Sequence, residues 1–264
     1  MTNNLERRQL SRRSTWSAHH KLFNPRLYSV EEVTEAVAKA FVISHHYSGT
    51  YPAARFRVGL FDQTKLVGVA VYSVPASQKV IPRYADIKPS EGVELGRLVL
   101  HDECGYNAET WFVSRSFKLL KRKLAPRFCL SYSDPFERMD SDGKVIKRGH
   151  VGQIYQALNA SYFGRASKCT LLLLPSGRVM SPRALGKIRR GERGHVYATE
   201  QLVKGGAPQR EDGESGEDYV ARVSSYFTKI RHPGNLAYGW RFDRHVKLKL
   251  PELPYPKTIQ EIER

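Results

Sequence analysis

Three separate stretches of the sequence carry side chains that could work together in one reactive site. The first, SHHYSG, contains His46 and Tyr47, the second, SYSDP, contains Asp134, and the third, RGHVGQIYQALN, contains His150 and Tyr155. Two imidazoles and one carboxylate can bind iron(II) on one face and leave positions open for substrate. A tyrosine close to the reacting atom can donate or accept a proton. We therefore expect a metal site formed by His46, Asp134 and His150, with a tyrosine beside it.

Each of these residues also has an ordinary structural interpretation. Asp-Pro is a common turn sequence, a histidine at a helix start can act as a cap, and a tyrosine one turn into a helix is often a half-buried aromatic residue. Arg97, in the strand-like stretch ELGRLVL, is in the usual case a solvated residue. His45 is the alternative to His46 as a metal ligand. The choice depends on whether the fold brings the three stretches together.

The elements that would position these residues follow from hydrophobic periodicity. Helices are predicted over YSVEEVTEAVAKAFVISHHY, where Ser29 and Glu32 form a capping box, over YNAETWFVSRSFKLLKRKL, and over GHVGQIYQALNASYFG, which ends at Gly164. Strands are predicted over ARFRVGLFD, KLVGVAVYSVP, VELGRLVLHDE, RFCLSYSDP and KCTLLLLPSG, with the first two joined as a hairpin. A smaller hairpin is predicted across Asp142 and Gly143.

This order of elements predicts the fold class α/β (α+β), with a mixed central sheet flanked by helices. Two strand–helix units in the middle of the chain imply parallel neighbours joined by right-handed crossovers. Ligands of such sheets bind beyond the carboxyl ends of the strands. The strand RFCLSYSDP would deliver Asp134 to such an end, and Gly149 and Gly152 would allow close approach of the backbone around His150.

The predicted domain organisation is simple. Residues 1–24 form a basic N-terminal arm, and residues 25–264 form a single domain with a charged, glycine-rich insert at about 178–222. Both the arm and the insert are dense enough in Lys and Arg to contact phosphates, which positions a protein on nucleic acid without reading sequence. The alternative for each is a solvated charged surface.

The charge balance favours a polyanionic partner. The chain has 43 Lys and Arg against 26 Asp and Glu, a formal net charge of +17, and such an excess attracts nucleic acid through counterion release. Three cysteines without a CxxC pair support neither a disulfide framework nor a thiolate zinc site. The N-terminal stretch lacks the apolar core of a secretory signal, and no run is long enough to span a bilayer, so a soluble intracellular protein is expected.

Five motifs occur in an order that resembles the Mom family of phage DNA-modification proteins, which are related to GNAT acyltransferases. They are SHHYSG, ELGRL, YNAETWFVSR, SYSDP and GHVGQIYQALN, and the resemblance covers roughly residues 40–175. SDP followed by GHxGxIYQAxN is the most specific element. The resemblance implies a GNAT-like sheet, DNA as partner, and a phage or prophage protein that acts in the cytoplasm of the bacterial host.

The activity implied by this resemblance is conversion of the exocyclic amine of adenine in DNA to a carbamoylmethyl derivative, which protects phage DNA from restriction. Acetyl-CoA as donor and iron as cofactor are implied as well. Carried over by motif, the implied catalytic residues are Tyr47, Arg97, Thr110, Asp134 and Tyr155. Asn107 and Thr110 are the implied cofactor-binding residues. They lie in the loop HDECGYNAET, which lacks the Q/R-x-x-G-x-G/A pattern that usually binds coenzyme A in GNAT acyltransferases.

The sequence departs from the family pattern at two places. Thr110 stands where a serine is expected and keeps the hydroxyl group, while FERMDSDGKVIK lengthens the gap between Asp134 and His150. Two other functions fit the same chain. A conventional acetyl-CoA-dependent N-acyltransferase would bind coenzyme A tightly without a metal, and a non-catalytic DNA-binding protein would explain the charge but leave the histidines without a role.

Overall fold

The computed structural model of the protein describes the backbone of residues 6–10 and 13–17, together with residues 23–105 and 107–263. The strands are, in chain order, β1 (Glu6–Leu10), β2 (Arg13–Ser17), β3 (Tyr28–Glu32), β4 (Ala54–Asp62), β5 (Lys65–Ser73), β6 (Gly92–Leu100), β7 (Phe128–Ser133), β8 (Arg138–Met139), β9 (Val145–Lys147), β10 (Ser161–Arg165), β11 (Cys169–Leu173), β12 (Val179–Met180), β13 (Thr228–His232) and β14 (Leu236–Arg241). The helices are α1 (Glu35–His45), α2 (Val80–Tyr84), α3 (Ala108–Leu124), α4 (Gln153–Ala157), α5 (Pro182–Arg190), α6 (His195–Lys204), α7 (Gly216–Val223) and α8 (Gln260–Glu263).

The chain forms two compact units. Unit 1 comprises Met1–Phe136, Lys147–Ala166 and Asn235–Arg264, and unit 2 comprises Glu137–Ile146 and Ser167–Gly234. The predicted basic insert, about residues 178–222, therefore lies inside unit 2, which extends beyond it in both directions. A single domain over residues 25–264 stays a prediction. The predicted basic arm falls partly outside the described residues, and its described backbone forms the antiparallel pair of β1 and β2.

The central sheet of unit 1 has seven strands in the order β10-β14-β7-β6-β5-β4-β3. Strands β3 to β6 pair in antiparallel fashion, β6 and β7 are parallel, and β7, β14 and β10 are again antiparallel. Helix α3 connects the two parallel strands, as a crossover between parallel neighbours requires. The predicted fold class, a mixed sheet flanked by helices, is confirmed, as are the β4–β5 hairpin and the small β8–β9 sheet around Gly143.

The parallel pairing of β6 and β7 is short. It covers only Gly92–Glu94 against Phe128–Leu130. Beyond these residues β6 stays bonded to β5 as far as Leu100, and β7 stays bonded to β14 as far as Ser133. The two halves of the sheet therefore part towards the carboxyl ends of β6 and β7. We call the gap between Leu95–Leu100 and Ser131–Ser133 the strand opening.

Apolar residues cover both faces of the sheet. On one face α3 packs Phe112, Val113 and Phe117 against side chains such as Val58 and Tyr72 of the hairpin. On the other face α1 packs Ala38, Phe41 and Val42 against Val69, Val71 and Val99, and α2 lies over β7 and β14 with Ile81 and Tyr84. Alternation of side chains along the strands supplies both layers, as expected for a sheet buried on two sides.

The prediction of the first helix was wrong at its N-terminal end. Tyr28–Glu32 is strand β3, paired with β4, and α1 begins only at Glu35. Ser29 and Glu32 form no capping box, because Thr34 is the N-cap and accepts from the Val37 N–H at 3.4 Å. Two N-cap signals stand five residues apart in this stretch, and the pairing of Tyr28–Glu32 with the edge of the hairpin selects the second.

The third predicted helix was also wrong. Helix α4 covers only Gln153–Ala157, and Gly164 lies within strand β10 at φ +78°, where the register with β14 shifts. The expected second parallel unit is absent from the described sheet, since β11 pairs with β12 and β13 in unit 2. Strand β11 is not fully buried either, because Cys169 and Thr170 are exposed.

Unit 2 has a core of its own. Its three-stranded sheet has the order β12-β11-β13, and α5, α6 and α7 contribute buried residues that include Leu185, Ile188, Leu202, Tyr219 and Val220. Among the described residues, no helix of either unit is both long and apolar enough to cross a membrane.

Candidate functional site

His46 follows α1 directly and is buried. Its Nδ1 accepts a hydrogen bond from the Ser48 backbone N–H at 3.1 Å and lies 2.8 Å from the Ser48 hydroxyl. Because Nδ1 accepts from an N–H donor, the neutral imidazole carries its proton on Nε2. Burial, followed by electrostatic interaction with Arg97 and then with His150, holds the pKa of His46 well below its usual range. His46 is therefore a neutral imidazole at physiological pH.

Arg97 lies on β6, beyond the residues that pair with β7. Its Nε donates to the Thr50 carbonyl oxygen at 3.1 Å, and its Nη2 donates to Thr50 Oγ1 at 2.7 Å. These bonds fasten the loop that follows α1 to the edge of the strand opening. The guanidinium also lowers the pKa values of His46 and Glu94, so two other polar residues at the opening feel its charge.

Asp134 follows β7 directly and is 9% exposed. Its Oδ1 accepts from the Phe136 N–H at 3.1 Å, and its Oδ2 lies 3.4 Å from Lys147 Nζ. Its main-chain carbonyl accepts from the backbone N–H of His150 at 3.1 Å. Asp134 and His150 are thus neighbours, although the segment FERMDSDGKVIK separates them in the sequence.

Two glycines permit this close approach, as the sequence predicts. A Cβ atom at Gly149 would lie 1.7 Å from the Pro135 carbonyl oxygen. Gly152, the N-cap of α4, has φ +74°, and a Cβ there would lie 2.8 Å from the Tyr238 ring.

Two tyrosines reach the same region. The Tyr47 ring centroid is 4.3 Å from that of His46. The Tyr155 ring packs against Tyr238 and Trp240 at 5.4 and 5.6 Å. Burial raises the pKa of Tyr155 to about 12, opposed by a hydrogen bond to Ser131 and assisted by Tyr47. Tyr155 is therefore a protonated phenol at neutral pH. We call His46, Tyr47, Arg97, Asp134, His150 and Tyr155 the site cluster.

The sequence analysis missed Glu94, which lies on β6 at the last residue paired with β7. Burial raises the pKa of its carboxyl group to about 7, and Arg97 opposes that rise. The charge of Glu94 also raises the pKa of Tyr155. The motif ELGRL contained the signal, because it places an acid and an arginine three residues apart on one strand, but only burial reveals that the acid is perturbed.

Some predicted site residues lie elsewhere. His45 contacts His101, with 3.4 Å between their Nε2 atoms, and its ring packs against Phe41, so His46 and not His45 is part of the site cluster. Thr110 donates its hydroxyl to the Asn107 carbonyl at 3.0 Å within the first turn of α3. Asn107 and Thr110 thus lie together at the start of α3.

The residues present do not fit iron(II). Among the described residues, no group of three His, Cys, Asp or Glu side chains is arranged to hold a metal ion. In the predicted ligand set of His46, Asp134 and His150, one Asp134 oxygen accepts from a backbone N–H and the other faces the Lys147 ammonium, and this ligand set stays a prediction. We therefore derive no step through iron.

The start of α3 fits the phosphates of an acyl-coenzyme A better. Helix α3 begins after the seven residues 101–107 that follow β6, and the side chain of its N-cap residue, Asn107 at φ +68°, makes no capping bond. The Ala108 N–H donates to the Gly105 carbonyl at 3.2 Å, which leaves the next N–H groups of the first turn for an anion. Uncapped N–H groups at the positive end of a helix dipole bind anions. Glu109 in the first turn opposes such binding.

The fold and the site define a mixed α/β protein with polar groups gathered where two parallel strands part. The model of the Mom protein family matches residues 27–214, which is more than half of the 264 residues, and the chain belongs to this family of phage DNA-modification proteins. The match is wider than the resemblance seen in the motifs. No curated protein matches the chain.

Some solved structures are similar to this chain at low identity. The ribosomal-protein-S5-alanine acetyltransferase of Vibrio fischeri is 12% identical, with a TM-score of 0.37 over 59% of this chain and 90% of that one. An N-acetyltransferase of Staphylococcus aureus Mu50 is 9% identical, with a TM-score of 0.34 over 54% and 87% of the two chains. A GCN5-related N-acetyltransferase of Kribbella flavida is 10% identical, with a TM-score of 0.31 over 91% and 60%. These similarities are too low to transfer a function.

Replacing Gly149 by Ala tests the close approach between Asp134 and His150. The added Cβ would meet the Pro135 carbonyl oxygen, so the chain must move there. We expect Gly149→Ala to lower the free energy of unfolding by about 1–3 kcal/mol in urea. Gly186→Ala is the control, because its Cβ meets only the Arg190 side chain inside α5, and a helical Gly→Ala change stabilises by about 0.5–1 kcal/mol. Equal effects would contradict the packing described.

Glu94 makes stability depend on pH. Its folded pKa of about 7 is higher than the value of 4.5 expected without burial, so its contribution is fully present below pH 4.5 and is lost as pH rises through 7. Between pH 5 and pH 8 the wild type should lose about 1–3 kcal/mol more unfolding free energy than Glu94→Gln. The exposed Glu31→Gln variant should behave as the wild type does. Parallel curves for all three proteins would refute the burial of this carboxyl group.

Proposed function

We propose that this protein converts the exocyclic amine of adenine in DNA to a carbamoylmethyl derivative and thereby protects phage DNA from restriction in the bacterial cytoplasm. The observation that carries the proposal is membership of the Mom protein family over residues 27–214. The convergence of the site cluster at the strand opening supports it, because a bond-forming reaction on an amine needs acid–base groups in one pocket.

Glu94 is our candidate for the general base. The exocyclic amine of adenine is a poor nucleophile, because its lone pair is delocalised into the ring, and it must lose a proton as the new carbon–nitrogen bond forms. A base works best when its pKa lies near the working pH. Burial raises the pKa of Glu94 to about 7, so a large fraction is ionised at neutral pH and can accept that proton.

Tyr155 and Arg97 are our candidates for the opposite task, stabilising charge on the donor. Tyr155 keeps its proton at neutral pH, since its pKa is raised to about 12, and it can donate a hydrogen bond. Arg97 adds a permanent positive charge. His46 stays neutral and carries its free proton on Nε2, so it can donate to substrate without repelling Arg97. Tyr47 and Asp134 complete the proposed set, Asp134 as a carboxylate that orients rather than reacts.

Acetyl-CoA is the proposed donor, and its phosphates would lie at the start of α3 beside Asn107 and Thr110. When bound, it would supply a two-carbon acetyl unit. The carbamoylmethyl product, N–CH2–CO–NH2, also requires a two-electron oxidant for the methyl carbon and an amino-group donor for the amide, and both are co-reactants beyond acetyl-CoA. The residues of this chain bind and orient it, exclude water and accept the proton from the amine. Thr110 would bind the phosphates through its backbone N–H, since its hydroxyl is bonded to the Asn107 carbonyl.

Unit 2 supplies the proposed DNA contact. Arg183, Arg189 and Arg193 are exposed and lie within one short stretch that includes α5 and the turn after it. Ser181 and Pro182 start α5, and its buried Leu185 and Ile188 turn the charged residues outward. Such side chains bind phosphates without reading sequence. An adenine paired in a duplex must leave the stack to reach a pocket, so we expect base flipping.

The direct test is nucleoside mass spectrometry of DNA from cells that express the protein. We expect a carbamoylmethyl deoxyadenosine with the wild type. Tyr155→Phe should lower its yield about 100-fold or more, because a positioned acid or base contributes roughly 10²–10⁴ in rate. Tyr226→Phe, an exposed tyrosine in unit 2, should match the wild type. Soluble wild-type protein that leaves deoxyadenosine unmodified would refute the proposed function.

The DNA contact is tested by the salt dependence of binding. We expect Arg183→Glu with Arg189→Glu to weaken binding to any DNA sequence and to reduce the slope of log K against log salt by about 2. The control carries the same charge change at two exposed lysines of unit 1, Lys79→Glu with Lys257→Glu. If both double variants bind alike, net charge and not this face of unit 2 governs affinity.

A further inference from the structure

Lys147 is fully buried, with 0% of its surface exposed. A buried ammonium group is costly unless its donors are satisfied. Here Nζ donates to the main-chain carbonyls of Asp134 at 2.9 Å, Phe136 at 2.5 Å and Arg148 at 3.4 Å. An ammonium group has three protons, and three main-chain carbonyls at one place surround this one.

The three carbonyls mark where the chain leaves unit 1 and where it returns. Asp134 and Phe136 lie just before residue 137, and Arg148 follows Lys147 at the return. The ammonium therefore links the two ends of the segment that lengthens the gap between Asp134 and His150. The hydrogen bond from the His150 N–H to the Asp134 carbonyl joins the two residues through the backbone, and the buried cation adds a second link between the ends of the segment.

The same ammonium reaches two members of the site cluster directly. Its Nζ lies 3.4 Å from Asp134 Oδ2 and 6.0 Å from the centroid of the Tyr47 ring. The carboxylate offsets the buried positive charge, and the ring presents its negative face to a cation. Both contacts need the charge of Lys147, so a neutral side chain of equal length would lose them.

We propose that Lys147 is a positioning residue that holds Asp134, and through it His150, in the geometry that DNA modification requires. The catalytic consequence of this inference rests on the proposed function, whereas the positioning of Asp134 by Lys147 does not. Lys147 has no proposed contact with a reacting atom, and it acts through the carboxylate and the carbonyl of Asp134.

The test compares Lys147→Met with Lys144→Met, an exposed lysine of the same segment. We expect Lys147→Met to lower kcat on the order of 100-fold, because a misplaced group costs about that much, and to leave KM for DNA unchanged. Lys144→Met should equal the wild type. If Lys147 acts through Asp134, the double variant with Asp134→Asn should be no slower than the slower single variant. Multiplied effects of the two changes would overturn the inference.

Amide hydrogen exchange provides a readout that does not depend on activity. The Phe136 N–H donates to Asp134 Oδ1 and the His150 N–H to the Asp134 carbonyl. In Lys147→Met both amides should exchange at least about tenfold faster, while the amides of the β4–β5 hairpin keep their rates. Unchanged exchange at Phe136 and His150 would overturn the positioning role.

The two proposals fail separately. If wild-type protein yields no modified deoxyadenosine, the proposed function is refuted. If the Phe136 and His150 amides exchange faster in Lys147→Met in the same experiment, the positioning role is still supported. If Lys147→Met does not fold, Lys147→Gln, which keeps N–H donors without the charge, replaces it in both measurements. Failure of both variants to fold would make Lys147 a residue for the stability of the whole unit and would overturn the local role.

Discussion

The parting of β6 and β7 is the constraint on which the site depends. The two strands share only the pairs from Gly92 to Glu94 with Phe128 to Leu130, and each then stays bonded to its outer neighbour. An inner strand can bond to a neighbour on each side, so the divergence of β6 from β7 beyond these pairs, and not their pairing with β5 and β14, makes the opening. Backbone groups at such a gap need polar partners, and the side chains that supply them are the ones that can also meet a substrate.

Two carboxyl groups at this opening have different environments. Asp134 has a backbone N–H on one oxygen and an ammonium group near the other, which suits a fixed carboxylate. Glu94 is half-buried, and its loss of contact with water raises its pKa to about 7 although the charge of Arg97 favours ionisation. Environments that separate two acids in this way assign them different tasks. In the proposed reaction Asp134 orients its neighbours and Glu94 accepts the proton.

The charged residues of the two units have different surroundings. Unit 1 places few charges at the opening and compensates each of them, as with Arg97 against Thr50 and Lys147 against three carbonyls. Unit 2 carries exposed arginines on a helix whose other side is packed in a core of its own. A core gives these arginines a fixed spacing, which a solvated charged run would lack, and fixed spacing suits a regular array of phosphates.

The sequence by itself determined the β4–β5 hairpin, β6, α3 and β7, because hydrophobic periodicity over these long segments is strong and local. It also determined the family, through ordered motifs. Only the tertiary structure decided that Tyr28–Glu32 is a strand, that β11 and β13 leave the central sheet, and that His46 rather than His45 meets His150. It alone revealed Glu94 and Lys147, since burial, and not residue type, perturbs one carboxyl group and makes one lysine a cross-link. Local patterns encode local structure, whereas burial and convergence depend on contacts between residues far apart in the chain.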